Sequence, residues 1–265
     1  MLDFGTTKMI VRKEAGVGWM IFNQPEKRNA VSFEMWEAIP KIMTDFEADP
    51  QVRVIVLTGA GDKAFVSGAD ISEFEKKRNS ADAVKIYNAA SDLASKVIAE
   101  ATKPTVSKIR GMCIGGGLGI AMTTDLRICS SDSVFAVPAA RLGLGYRYNA
   151  LKRLVDVVGP AFAKEIFFTA NKYDAEDARV MGLVNRIVPA AELDAYVDKY
   201  VASMAQNAPL TVKTAKLTVN TLLQDPSERD LAAVDEAVAA CFASEDYIEG
   251  RRAFMEKRRP QFKGR

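Results

Sequence analysis

The chain has 265 residues, 48% of them hydrophobic, and its 36 Lys+Arg against 34 Asp+Glu leave a formal net charge of +2. That balance gives no global field to recruit nucleic acid or a membrane surface, so any anion site must be local. The length suits one large domain, or a core with a smaller helical appendage, and the composition is that of an ordinary globular protein with a sizeable core.

No histidine occurs anywhere in the chain. Ser-His-Asp and Cys-His nucleophile systems, His general bases and His-ligated metals are therefore excluded. Any acid or base must be a carboxylate, tyrosine, lysine, cysteine or water. Cys113, Cys129 and Cys241 are scattered without CxxC spacing, so neither a disulfide framework nor a zinc site is expected, and a reducing cytoplasm fits best. "MLDFGTTKMIVRKE" has no apolar signal core, and no run approaches the ~20 apolar residues needed to span a bilayer. A soluble, cytoplasmic protein is expected.

In chain order, "KMIVRKEAGVGWMIF" (8–22) predicts a hairpin around the turn-prone "EAGVG". The polar loop "NQPEKRNA" (23–30) follows. Ser32 is placed to cap a helix running to about Ala48, with Pro40 as a kink. The continuous run Val54-Ile55-Val56-Leu57 predicts a strand buried on both faces. "DKAFVSGADISEF" is a loop turning into a helix, 80–102 an amphipathic helix, and "TVSKI" (105–109) a strand leading into a glycine run. Strands are predicted at about 126–129 and 133–137, then helices near 149–158 and 160–169. Asp174 caps a further helix, and "GLVNRIV" (182–188) is a last strand. From about 190 the pattern is helical, broken at "NAP" (207–209) and "DPS" (225–227), which makes an α/β core with a helical tail. The basic cluster "RRAFMEKRRPQFKGR" (251–265) reads as a solvated helix end or an anion-binding surface.

Two junctions carry glycine: "FVSGADI" near Gly68 and Ala69, and "GMCIGGGLG" near Gly115 to Gly117. Both read as helix starts, where unsatisfied N–H groups favour negative charge. Two such donors aimed at one point would make an oxyanion hole. Close packing and turns also use glycine, so the run alone does not decide. It is neither a Walker A loop, lacking the Gly-Lys-Ser/Thr ending, nor a Rossmann fingerprint.

"NQPEKRNAV", "VIVLTGAGDKAFVSGADISEF", "KPTVSKIRGMCIGGGLGIAMTTDLRICSSDSVFAVP", "VGPAFAKEIFFTA", "DAEDARVMGLVNRIV" and "SEDYIEGRRAFMEKRRPQF", in that order, resemble the crotonase superfamily, the enoyl-CoA hydratase/isomerase family. The resemblance spans nearly the whole chain. It implies an α/β fold, a spiral of repeated ββα units over 1–190 that binds acyl-CoA. Residues 191–265 would form a helical region for oligomerisation and for completing the CoA site. It further implies enzymes of fatty acid metabolism that act on an acyl-CoA thioester, assembled as homotrimers or hexamers. No further cofactor, no metal, no nucleic acid and no membrane partner are implied.

By motif matching, the backbone N–H groups of Ala69 and Gly116 would form the oxyanion hole, flanked by Gly68 and Gly115. Asp70, Ile71 and Ser72 continue the CoA-contacting turn, Lys27, Arg28 and Ala30 occupy the loop against the nucleotide, and Phe254 and Lys257 match C-terminal CoA positions. Ordinary solvated charge is the other reading of Lys27, Arg28 and Lys257. Family hydratases use two glutamates; the matching positions here are Gly119 and Ala139, so both carboxylates are absent. Some relatives carry a catalytic aspartate where this chain has Arg147. The substituted stretch "YRYNA" offers Tyr146 or Tyr148 as a phenolic acid or hydrogen-bond donor. Arg141 or Arg147 is a candidate partner for an acyl carboxylate, and Glu73 is a lesser candidate acid. For each of these, packing or solvation is the alternative. Two functions stay open: an acyl-CoA-converting enzyme, by hydration, isomerisation or hydrolysis, and a catalytically silent acyl-CoA-binding or assembly subunit.

Overall fold

The computed structural model describes residues 4–70 and 81–265. β1 (Met9–Glu14) and β2 (Val17–Phe22) form the expected antiparallel hairpin. Its two turn residues, Ala15 and Gly16, have φ of 50° and 82°, as a two-residue turn matched to strand twist requires. β2 is followed in parallel by β3 (Val54–Gly59), β5 (Thr105–Ile109), β7 (Leu126–Ser130) and β10 (Arg186–Val188). Together they make a six-stranded sheet in the order β1-β2-β3-β5-β7-β10.

The intervening strands build a second, four-stranded sheet: β4 (Ala64–Val66), β6 (Met112–Ile114), β8 (Val134–Ala136) and β9 (Lys172–Tyr173). The pairs β3/β4, β5/β6 and β7/β8 each place one strand in each sheet, so the chain climbs as a spiral. Gly111 turns one of these corners; its φ is 63°, and a Cβ there would lie 2.3 Å from the Lys63 carbonyl oxygen.

The helices are α1 (Phe33–Ala48), α2 (Ala81–Ala99), α3 (Gly116–Ala121), α4 (Tyr148–Thr169) and α5 (Ala175–Val180) in the core region. α6 (Leu193–Ala205), α7 (Pro209–Leu222), α8 (Leu231–Ala243) and α9 (Glu245–Met255) follow. The β3 run is buried on both faces as expected. Ile55 and Leu57 join the main core with α1 and the second sheet, while Val54 and Val56 pack under Leu193, Val197 and Val201 of α6. α6 therefore roofs the outer face of the large sheet.

Several expectations need correction. The stretch read as loop before Gly68 holds β4, and a further strand, β6, stands between the predicted 105–109 strand and the glycine run. The strand expected over 182–188 is confined to β10, because Gly182, at φ 77°, ends α5 and the Leu183 and Val184 N–H groups bond back to the Ala178 carbonyl. By contrast, the two helices predicted near 149–158 and 160–169 are both present as the halves of α4, which meet at a kink where Gly159 (φ 75°, ψ 166°) leaves helical geometry before Pro160. Among the described residues no helix is long and apolar enough to cross a membrane.

Candidate active site

β4, β6 and β8 run parallel, so their carboxyl ends deliver residues 67–70, 115–119 and 138–142 to one edge of the small sheet. A cavity of about 300 Å³ opens there, walled on its far side by α2. Ligand sites at the carboxyl ends of parallel strands follow from the same geometry in other α/β sheets.

The β4 end is pinned to the 23–31 loop. The Val31 N–H donates to the Gly68 carbonyl at 2.8 Å and the Asp70 N–H to the Val31 carbonyl at 2.9 Å. Ala69 lies between those two bonds and so turns its own N–H to the opposite side. At the β6 end, Gly115 (φ 53°, ψ −113°) reverses the chain into α3 and leaves Gly116 as the first helical residue. A Cβ on Gly116 would sit 3.6 Å from the Ala69 nitrogen. Among the described residues, neither the Ala69 nor the Gly116 N–H donates to another backbone carbonyl. Gly68, Ala69, Gly115 and Gly116 all line the cavity.

Gly119 and Ala139, the positions expected to match the family glutamates, also line it. Gly119 faces open space, since a Cβ there would meet no atom within 4 Å, and Ala139 is buried. No carboxylate reaches the cavity from either.

The "YRYNA" stretch divides. Tyr146 lines the cavity, half-buried and edge-on to Phe167 with ring centroids 4.8 Å apart; burial holds its phenol above the ordinary range, so it stays protonated. Arg147 also lines the cavity, but it grips Asp92 of α2 with both prongs, Nη1 to Oδ2 and Nη2 to Oδ1 at 2.6 Å. Tyr148 and Asn149 turn outward, Tyr148 being 76% exposed, and Arg141 reaches Asn171 at 3.4 Å instead. Asp92 had no motif to announce it. Its only signal is its place on a helix whose period puts Tyr87, Asn88, Ser91 and Ser95 on the same face.

The expected CoA residues are spread. Lys27 donates to the buried Asp70 carboxylate at 2.7 Å, and Gln24 Nε2 reaches the same oxygen at 3.4 Å. Arg28 stands exposed beside Met112 Sδ, and Ala30 accepts from Gln24 Nε2 at 2.9 Å. Phe254 and Lys257, on and just beyond α9, are exposed and do not line the cavity. Ile71, Ser72 and Glu73 lie outside the described residues. Asp125 is structural: it accepts from Thr105 N–H at 2.7 Å and pairs with Lys216 of α7 at 2.7 Å. No group of three or more His, Cys, Asp or Glu able to hold a metal ion occurs among the described residues.

A two-sheet spiral of ββα turns with a helical C-terminal region is the crotonase fold, an architecture of acyl-CoA-converting enzymes. The model of the enoyl-CoA hydratase/isomerase family matches residues 12–265, and the chain belongs to that family. It is 34% identical over 258 residues to the short-chain-enoyl-CoA hydratase of Clostridium acetobutylicum, covering 97% of this chain and 98% of that one. The crotonyl-CoA hydratase of Syntrophomonas wolfei is 32% identical, with 96% and 97% covered. The crystal structure of an enoyl-CoA hydratase/carnitine racemase from Magnetospirillum magneticum superposes with a TM-score of 0.94 at 32% identity, covering 98% of this chain and 97% of that one.

Proposed function

We propose that the chain converts an enoyl-CoA or related acyl-CoA by stabilising negative charge on the thioester oxygen with the Ala69 and Gly116 N–H groups. The observation supporting this reading is the adjacency of those two N–H groups at the rim of one cavity. As an enolate forms, charge moves onto the thioester oxygen, and a fixed donor there contributes about 3 kcal/mol in the transition state. Two donors that need no reorganisation account for part of a rate enhancement without any side-chain base.

The usual pair of carboxylates is replaced by Gly119 and Ala139, so the proton is moved by water or by Tyr146. A protonated phenol suits Tyr146 to donate rather than to accept. The relatives are named as hydratases; for this chain hydration, double-bond isomerisation and thioester hydrolysis are the candidate reactions. Lys27, Arg28, Ala30, Gly68, Asp70, Ile71, Ser72 and Gly115 would hold the CoA portion. A homotrimer or hexamer would bring Phe254 and Lys257 to a neighbouring subunit's nucleotide. No cofactor beyond the CoA of the substrate is needed.

The empty positions 119 and 139 favour a second reading, a subunit that binds acyl-CoA without converting it. A mass-spectrometric product screen with saturated, 2-enoyl, 3-enoyl, cyclic and dicarboxylic acyl-CoAs in heavy-oxygen water separates the two. Water added with CoA retained, a shifted double bond, or free acid each identifies an enzyme; tight binding with no product for any thioester establishes the silent subunit. Gly116→Ala tests the oxyanion role directly. Its new methyl fits at 3.6 Å from the Ala69 nitrogen yet occupies the space between the donors. It is expected to fold normally and to lose about a hundredfold or more in kcat/KM; unchanged turnover would remove the two N–H groups from the mechanism.

A further inference from the structure

We infer that the cavity wall formed by α2 and Arg147 recognises an uncharged oxygen, a hydroxyl above all, on the acyl chain beyond the reacting carbons. The inference rests on the acyl-CoA reading and narrows its substrate class. Elsewhere in the lining, Leu142 and Leu144 are large exposed hydrophobics, so part of the cavity suits a hydrocarbon chain. The α2 side does not. Tyr87, Asn88, Ser91, Asp92 and Ser95 follow one another at helical spacing and all face the cavity, an entire polar stripe where an aliphatic acyl group would want apolar contact.

Asp92 is the lone carboxylate and Arg147 the lone cation among the described residues lining the cavity. Their two-pronged pairing decides which charge state the wall accepts. A substrate carboxylate reaches Arg147 only by displacing Asp92 or by lying against it as a like charge. A substrate ammonium meets the mirror-image penalty at Arg147. A hydroxyl meets neither. The paired carboxylate still has lone pairs to accept its proton, and the guanidinium still has N–H groups to donate to its oxygen. The pair is about half exposed, 52% for Arg147 and 56% for Asp92, so it is reachable without being broken. Along the same wall, the Ser91 hydroxyl already donates to the Asn88 carbonyl at 3.0 Å, and the Trp36 indole N–H fixes the Tyr87 ring by donating to its hydroxyl at 2.8 Å.

The test is calorimetric binding to the full chain of carba analogues, in which methylene replaces the thioester sulfur so that nothing is hydrolysed. The probes are the hexanoyl analogue, its 4-, 5- and 6-hydroxy derivatives, and the ω-carboxy and ω-amino derivatives. At least one hydroxy analogue is expected to bind about tenfold tighter than hexanoyl, as one hydrogen bond to a charged partner yields, while the two charged analogues bind no tighter. In the double variant Asp92→Leu/Arg147→Met, which removes both members of the pair together, the hydroxy and hexanoyl constants are expected to converge within twofold. Equal binding of hydroxy and hexanoyl analogues by the unaltered protein, tighter binding of a charged analogue, or a hydroxyl preference surviving in the double variant would each overturn the inference alone. Failure of every analogue to bind would overturn the acyl-CoA reading and this inference with it.

Discussion

Within "GMCIGGGLGIA" each glycine answers to a different physical demand. Gly115 needs its positive φ to turn the chain. Gly117 lies so close to β4 that a Cβ would meet the Val66 carbonyl oxygen at 2.1 Å, whereas a Cβ at Gly119 meets nothing. Gly117→Ala should therefore push β4 and α3 apart and cost about 1–3 kcal/mol in chemical denaturation. Gly119→Ala should instead stabilise α3 by about 0.5–1 kcal/mol, because it only removes unfolded-state freedom. Gly119→Glu should fold equally well and raise the addition of water to a 2-enoyl-CoA above the unaltered chain, since it adds a carboxylate to the cavity that holds the proposed oxyanion donors. If it folds but adds no water faster, the missing glutamate is not what limits hydration here. Tyr146→Phe, which keeps the ring on Phe167, should lower kcat about tenfold or more with little change in unfolding midpoint. Because burial raises the phenol's pKa, that contribution should persist in kcat to a higher pH than an exposed tyrosine's would.

At the level of elements, the 23–30 loop owes its shape to one side chain. Asn29 is fully buried at φ 56°; its Oδ1 accepts from Gln24 N–H at 3.0 Å and its Nδ2 donates to the Ala60 and Ala64 carbonyls at 2.9 and 2.8 Å. Asn29→Ala leaves those backbone groups unpaired and puts alanine in the left-handed region. A loss of about 2–4 kcal/mol is expected, and the CoA role proposed for Lys27 and Arg28 predicts weaker CoA binding as well. Preserved stability would show that the flanking contacts hold the loop without it. Long elements with a clear period, such as β3, α1 and α2, were legible in the sequence, as was the hairpin from its Ala15-Gly16 turn. β4, β6 and β9 were not. Each is two or three residues long, too short to alternate, and each is a strand only because another turn of the spiral supplies its partner. The site divides in the same way. The glycine junctions carry a motif and could be placed, while Asp92 and the polar face of α2 acquire meaning only when the fold sets them across a cavity from β4 and β6.

Over the whole molecule, the C-terminal segment is strapped back across the chain. Arg53, at the corner before β3, donates to the Ala205 carbonyl at the end of α6 and to the Phe262 carbonyl at 3.1 and 2.7 Å. On α9, Asp246 accepts the Lys263 and Gly264 N–H groups at 2.6 and 2.8 Å. Glu249 accepts from Arg252 and Arg258, each at 2.6 Å, and from the Gln261 N–H at 2.9 Å. Those donors hold the Glu249 carboxyl far below the usual carboxylate range. A carboxyl with a depressed folded-state pKa contributes stability in full above its unfolded value of about 4.3, and that contribution is lost as pH falls toward the folded value. The strap should thus loosen in acid before the parallel sheet does. Hydrogen exchange at Gln261, Lys263 and Gly264, corrected for intrinsic rates, should show protection that is constant from pH 7 to 5 and declines below it. Glu249→Gln keeps an acceptor but removes the charge held by Arg252 and Arg258, so protection at Gln261, whose N–H it accepts, should be lower at pH 7 and should lose most of its acid decline. A variant as protected as the unaltered chain, with the same acid decline, would shift control of the strap from Glu249 to the Arg53 and Asp246 contacts.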